Sequence, residues 1–219
     1  MPDIHSPLRI EPTTVSESGG FALKRAFGEW FVEARHPDLG ALCGPLLEEI
    51  DRRRKAGAFE ARGQQDSTGI PARLLDSGHV VQHWRASAVD RFFAWARRGA
   101  AVLARAHGVS APELLIDSAW SHITQRGGAM AYHDHGGQPG IVRAAATVLY
   151  LQLEPADPAA PDSGTVSYLS VAGDEVILAR PQVGLLTAWP AHIRHRVLPY
   201  RGTTERIIIA ANVNFRSCR

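Results

Sequence analysis

Between Leu114 and Phe215 the chain offers strand after strand and no segment long enough for a helix between them. The stretches are Leu114–Thr124, Ile141–Leu153, Thr165–Val171, Glu175–Leu178, Val183–Trp189, Ile193–Leu198 and Arg206–Phe215. Each is rich in Val, Ile, Leu, Thr and aromatic residues, and each is bounded by Gly, Pro or Asp clusters, as strands are. So many strands in close succession imply an antiparallel sandwich or barrel. The Pro/Ala/Asp stretch from Pro155 to Pro161 is too short for a domain linker and reads as a loop between strands.

The first half has a different texture. Leu8-Arg9-Ile10 allows a short strand, and Pro12 to Gly20 is polar. Phe21–Ala34 sets Phe21, Ala22, Ala26, Trp30 and Phe31 on one helical face, which predicts a helix. Leu42–Lys55 predicts a second, with Arg52, Arg53, Arg54 and Lys55 at the end where cations complement the helix dipole. Ser87–His107 is the clearest, because Val89, Phe92, Phe93, Ala96, Ala100 and Leu103 recur at spacings of three and four. Gly57–Gly69 is polar and reads as a surface loop, with an active-site lid as its functional alternative. Helices followed by strands is an α+β order, and 219 residues suit one domain: a mainly helical buttress over 1–112 and a β core over 113–219.

Composition excludes more than it assigns. Hydrophobic content of 45% with 21% charged residues is that of a water-soluble globular chain. A formal net charge of +2 calls for no nucleic acid. No apolar run approaches a membrane span, and no apolar signal segment opens the chain. Cys43 and Cys218 form neither a disulfide framework nor a zinc pattern, so the expected compartment is the cytoplasm.

Chemistry concentrates in Tyr132-His133-Asp134-His135-Gly136-Gly137 and in His195. Two imidazoles one residue apart on a strand share a face. A third from a distant strand closes a three-point set around one metal ion, leaving half an octahedron free, which suits oxygen-activating iron. With ten histidines in the chain, an H-x-H pair alone is weak evidence; the later His195, and Arg206 eleven residues beyond it, make the constellation. Gly127-Gly128 and Gly136-Gly137 open no helix and so are not phosphate loops.

These residues carry a resemblance. SAWSHITQRGG with Trp120, YHDHGG, TVLYLQLEP, Gly164, VGLLTAWPAHIRHRVLP and ERIIIAANVNF resemble, in order and spacing, the bacterial-type 2-oxoglutarate/Fe(II) oxygenases. The likeness spans roughly residues 115 to 215. It implies a double-stranded β-helix (a cupin-like jelly roll) with the N-terminal helices packed against it, and a single oxygenase domain. It implies Fe(II) on His133, His135 and His195, with 2-oxoglutarate and O2 as cosubstrates and Arg206 on the distal carboxylate. Tyr150 matches an aromatic of the neighbouring strand. Ile208 stands where a small hydroxyl residue is common, so Tyr150 or Thr147 would supply the second hydrogen bond, while Asn212 would brace the barrel or touch the cosubstrate. Trp120, His122 and Arg143 are candidate substrate contacts.

Two alternatives stay open at this level. Asp134 would ligate in place of His135 if a bulge turned it inward; otherwise it would orient a ligand as a hydrogen-bond acceptor. His192 competes with His195, and the match to the turn before Val197 selects His195. The implied activity is hydroxylation of an unactivated C–H bond in a small metabolite, amino acid or carrier-bound intermediate. A 2-oxoglutarate-independent three-His dioxygenase and a non-catalytic jelly-roll binding module are its rivals. The expected partner is a small molecule, with no nucleic acid and no membrane, and a homodimer is the assembly left open.

Overall fold

The computed structural model describes residues 8–216 apart from 19, 66–70, 111, 140, 141 and 156. The chain runs β1 (Leu8–Arg9), β2 (Thr13–Ser18), β3 (Phe21–Ala26), β4 (Glu29–Arg35), α1 (Leu39–Lys55), β5 (Glu60–Gln65), β6 (Pro71–Asp76) and α2 (Ser87–Ala106). It continues through β7 (Glu113–Thr124), β8 (Met130–His133), β9 (Ala144–Gln152), β10 (Val166–Leu169), β11 (Glu175–Ala179), β12 (Leu185–Pro190), β13 (His195–Val197) and β14 (Arg206–Arg216).

Two sheets face each other. The smaller has the order β1-β11-β10-β13-β8, and the larger β2-β3-β4-β12-β9-β14-β7-β6-β5. Within them β7-β14-β9-β12 oppose β8-β13-β10-β11, and every neighbouring pair of these eight strands is antiparallel. This is the double-stranded β-helix that the resemblance implied, and an antiparallel barrel of the kind the strand run predicts. The remaining strands extend the larger sheet at both edges and the smaller at one.

The larger sheet is buried on both faces. On β14, Ile207, Ile209, Ala211 and Val213 pack with Phe92, Ala96, Ala100 and Leu103 of α2. Ile208 and Ala210, one residue out of phase, join Trp120, Tyr150, Tyr168 and Trp189 between the sheets. Period-two alternation therefore assigns each strand residue to the helix side or the barrel side. α2 lies close against its sheet, since a Cβ on Gly99 would come within 2.8 Å of Leu186 Cδ2. At the end of α1, Arg52 and Arg53 pair with Glu49 and Lys55 with Asp51, while Arg54 reaches Glu205 across 2.7 Å.

Three expectations need correction. Phe21–Ala34 is not a helix but the hairpin β3–β4, closed by Phe27 (φ 40°) and Gly28 (φ 81°), a pair with the two positive φ values of a tight hairpin turn. Val32 and Ala34 face the helices while Phe31, on the same face as Glu29 and Glu33, faces the barrel, so apolar residues fall on both faces and their spacing across the turn imitates a helical stripe. Residues 60–65 are not a loop but the edge strand β5, because pairing with β6 satisfies the backbone whatever the side chains are; residues 66–69 lie outside the described residues. The first 112 residues are consequently not mainly helical, since α1 and α2 share them with six strands.

Candidate metal centre

The site begins with β8 and β13, which are neighbours in register: His133 lies directly across from His195. β8 ends at His133, so His135 is not carried by a strand as the H-x-H argument supposed. A turn holds it instead. The Asp134 carboxylate accepts the Gly136 N–H at 2.9 Å, and the His135 N–H donates to the Ala191 carbonyl at 2.9 Å. Gly136 and Gly137, with φ of 85° and 106°, take the left-handed conformations that this turn requires. Asp134 is thus a turn-former rather than a ligand.

The nitrogens of His133, His135 and His195 lie within 4.8 Å of one another. The His133 and His195 rings are 4.2 Å apart between centroids, and His135 stacks on His195 at 5.0 Å. His133 Nδ1 bonds the Ala131 carbonyl at 2.9 Å and His195 Nδ1 lies 3.3 Å from the Ile193 carbonyl. Those carbonyls can only accept, so each Nδ1 carries a hydrogen and Nε2 is the nitrogen that remains to face a metal. Burial, then the neighbouring imidazole of His133, lowers the His135 pKa to about 4. Burial and both partner imidazoles push His195 well below its ordinary value. Three ring nitrogens this close, two of them on imidazoles that burial disfavours charging, fit a divalent ion.

One cavity joins this set to Arg206. Its lining includes the three histidines, Trp120, His122, Thr124, Tyr150, Trp189, Arg206 and Ile208, and no carboxylate. Trp120 stacks on His135 at 5.2 Å. Arg206 is 4% exposed, its Nε has no hydrogen-bond partner among the described residues, and its guanidinium lies over the Tyr150 ring at 5.3 Å. Burial drags its pKa down, against the pull of Tyr150 and Tyr200. A buried guanidinium lacking an acid is costly unless an anion completes it, so the residues also fit a carboxylate ligand. The cation is held rigidly. Glu205, its neighbour, is gripped by Arg54, by Gln125 at 3.2 Å and, through its carbonyl, by Gln152 at 3.0 Å.

The other expected residues scatter. Thr147 is one residue out of phase with Val148, which lines the cavity; its hydroxyl bonds the Ala211 carbonyl at 2.9 Å, so it offers no second bond beside Arg206. Asn212 donates to Ser118 Oγ at 3.1 Å and does not line the cavity. Six residues at about 3.3 Å each put it some 20 Å along β14 from Arg206, so it braces the barrel. Arg143 is exposed in an outer hollow beyond His135. His192 binds Glu29 Oε1 at 3.1 Å and stands apart from the three-His set. Sequence reasoning missed Tyr168, whose ring is 5.9 Å from His195, and Trp189, at 4.9 Å from it. Tyr168 pairs with His195 across β10 and β13, a register visible only once the strand order is known. It also missed Asp76, which lies beside His122 on β6.

Fold and site together place three converging histidines and a buried guanidinium in one cavity of a double-stranded β-helix. Residues 118–212 match the family model described as "Putative 2OG-Fe(II) oxygenase". By its description, that model gathers oxygenases that use iron and 2-oxoglutarate. Similar solved structures include a prolyl-4-hydroxylase of Pseudomonas putida, with 17% identity over 85% of this chain and 92% of that one and a TM-score of 0.55. AviO1 of Streptomyces viridochromogenes gives 13%, 86%, 91% and 0.62 for the same quantities. HygX of Streptomyces hygroscopicus, solved with nickel, 2-oxoglutarate and hygromycin B, gives 12%, 84%, 82% and 0.54. At these identities the likeness is one of fold. No curated protein sequence matches the chain.

Proposed function

We propose that this protein hydroxylates an unactivated C–H bond of a small metabolite, amino acid or carrier-bound intermediate. Iron would be held by His133, His135 and His195, and 2-oxoglutarate by Arg206 with Tyr150 beside it. The observation that carries this reading is the buried guanidinium without an acid in the same cavity as three converging imidazoles. Bound iron with 2-oxoglutarate and oxygen supplies the oxidising chemistry, and the protein supplies position and dryness.

Each residue has a definable part. Three neutral ligands leave the full charge of the metal uncompensated, and with no carboxylate in the lining the cavity favours a dianion. Arg206 presents a planar fork to the far carboxylate, which fixes the direction in which the acid enters. Trp120, Trp189 and Tyr168 wall the imidazoles with aromatic surface and keep bulk water from the reacting centre. The solved relatives are titled for different substrates, a prolyl-4-hydroxylase and a complex with hygromycin B among them.

The test is anaerobic titration of metal-free protein with Fe(II) and then 2-oxoglutarate, following the weak visible charge-transfer band of the chelate. The expected band appears in wild type, is absent in His195→Ala and needs more 2-oxoglutarate in Arg206→Ala. Iron binding with no band at any concentration would refute the proposed cosubstrate site.

A further inference from the structure

The cavity wall formed by β7 and β14 is a ladder of inward-facing pairs. Arg206 lies across from Thr124, Ile208 from His122, and Ala210 from Trp120. The first rung is the acid anchor. The third is the metal end, because Trp120 stacks on His135. Four residues of strand separate them, about 13 Å. His122 occupies the rung between, so an acid reaching from Arg206 to the metal must pass its ring.

His122 is also tethered from behind. Its Nε2 lies 3.6 Å from Asp76 Oδ1 on the adjoining strand β6. Asp76 is itself buried, bound by the Gly78 N–H at 2.8 Å and by Arg62 Nε at 2.9 Å. Burial works against its ionisation, but His122, Gly78 and Arg62 outweigh that, and Asp76 stays below the ordinary carboxylate range. A charged carboxylate can only accept, so Asp76 favours a hydrogen on the Nε2 that faces it across 3.6 Å. The nitrogen that remains for the cavity is Nδ1.

We propose that Asp76 and His122 form a dyad that positions the 2-oxoglutarate bound between Arg206 and the three-His set, with His122 taking up a proton as the acid binds. This rests on the reading of the site given above. A carboxylate oxygen accepts from Nδ1 only if Nδ1 carries a hydrogen, and with Asp76 favouring a hydrogen on Nε2 the form that serves both carboxylates is the imidazolium. Without the acid, burial, Arg206 and Arg62 oppose the charge and Asp76 alone favours it, and His122 is held below its ordinary pKa. Arrival of a dianion reverses the balance, and the imidazolium then bridges two carboxylates. The Trp120 ring stands between His122 and His135, at 6.4 Å from the former and 5.2 Å from the latter. His122 is thus not a metal ligand, and Asp76 is a positioning residue.

Calorimetric titration of the Mn(II)-loaded protein with 2-oxoglutarate, at pH 7.5 in two buffers of different protonation enthalpy, reads the proton directly. Wild type is expected to take up about one proton per acid bound. His122→Gln, which keeps a hydrogen-bonding side chain, should take up none and bind roughly tenfold more weakly, about 1.4 kcal/mol, with unchanged Mn(II) affinity. Asp76→Asn should lower the uptake and leave its fold intact by circular dichroism. Equal affinity and equal uptake in wild type and His122→Gln would overturn the dyad while leaving the oxygenase reading intact. Absence of 2-oxoglutarate binding to wild type would overturn both.

Discussion

Replacing Arg206 by Met should make the protein bind 2-oxoglutarate worse and fold better. The guanidinium is 4% exposed, its Nε is unpartnered and no carboxylate lines its cavity. In the ligand-free protein it is a desolvated charge with little Coulombic return. Met keeps the apolar stem that packs near Gly164 and Tyr200 and removes the charge. Exchanging buried ionic groups for apolar ones of similar volume is often neutral or stabilising by about 1–4 kcal/mol. The metal-free variant should therefore melt at or above the wild-type temperature.

With ligand the sign reverses. Two charge-assisted hydrogen bonds of about 1.5–3 kcal/mol each are lost, which weakens binding by roughly two to four orders of magnitude. At a hundred times its dissociation constant, 2-oxoglutarate stabilises Mn(II)-loaded wild type by about 2.7 kcal/mol, or roughly 5–11 °C for a chain of this size. The same concentration should leave the melting of Arg206→Met unmoved. Differential scanning calorimetry of both proteins, with and without ligand, measures all four quantities. A variant that melts well below wild type yet keeps the full ligand-induced shift would refute the argument, since Arg206 would then be a structural cation with a partner.

Other perturbations separate metal, proton and packing. His195→Ala should abolish stoichiometric Fe(II) binding, whereas His135→Asp should retain it with a lowered affinity for 2-oxoglutarate because the added carboxylate offsets the metal charge; equilibrium dialysis and the chelate band read the two. His135 is held neutral in the folded metal-free chain down to about pH 4, while an unfolded histidine protonates near 6.5. Between those values the unfolded state binds more protons, so stability falls as pH drops, by up to about 3 kcal/mol from this residue. Urea unfolding of metal-free wild type and His135→Asn at pH 7 and pH 4.5 should show the smaller loss in the variant. Phe92→Ala, at a fully buried position where α2 meets the sheet, should cost about 3–5 kcal/mol in chemical denaturation. It should leave Fe(II) affinity at low temperature unchanged, because Phe92 packs on the face of the sheet opposite the metal.

What could be read from the residues follows from how local each signal is. Seven of the core strands, α1 and α2 were visible because their periodicity or composition persists over several residues, and His133, His135, His195 and Arg206 because their order along the chain is itself the pattern. The β3–β4 hairpin was hidden because apolar residues such as Phe31 interrupt its polar face, which blurs the alternation that identifies a strand. β5 was hidden for the opposite reason, since backbone pairing holds an edge strand whose side chains carry no signal. Thr147 and Tyr150 looked equivalent in sequence, and only the register assigns one to the helix side and the other to the cavity. The same logic explains why Asp76 was silent. A polar residue on β6 acquires meaning from the strand it lies against, and β6 meets β7 so that Asp76 is opposite His122. The partners of a site residue can thus lie beyond its own motif, and a match confined to residues 118–212 leaves out the side chain that faces His122 from β6.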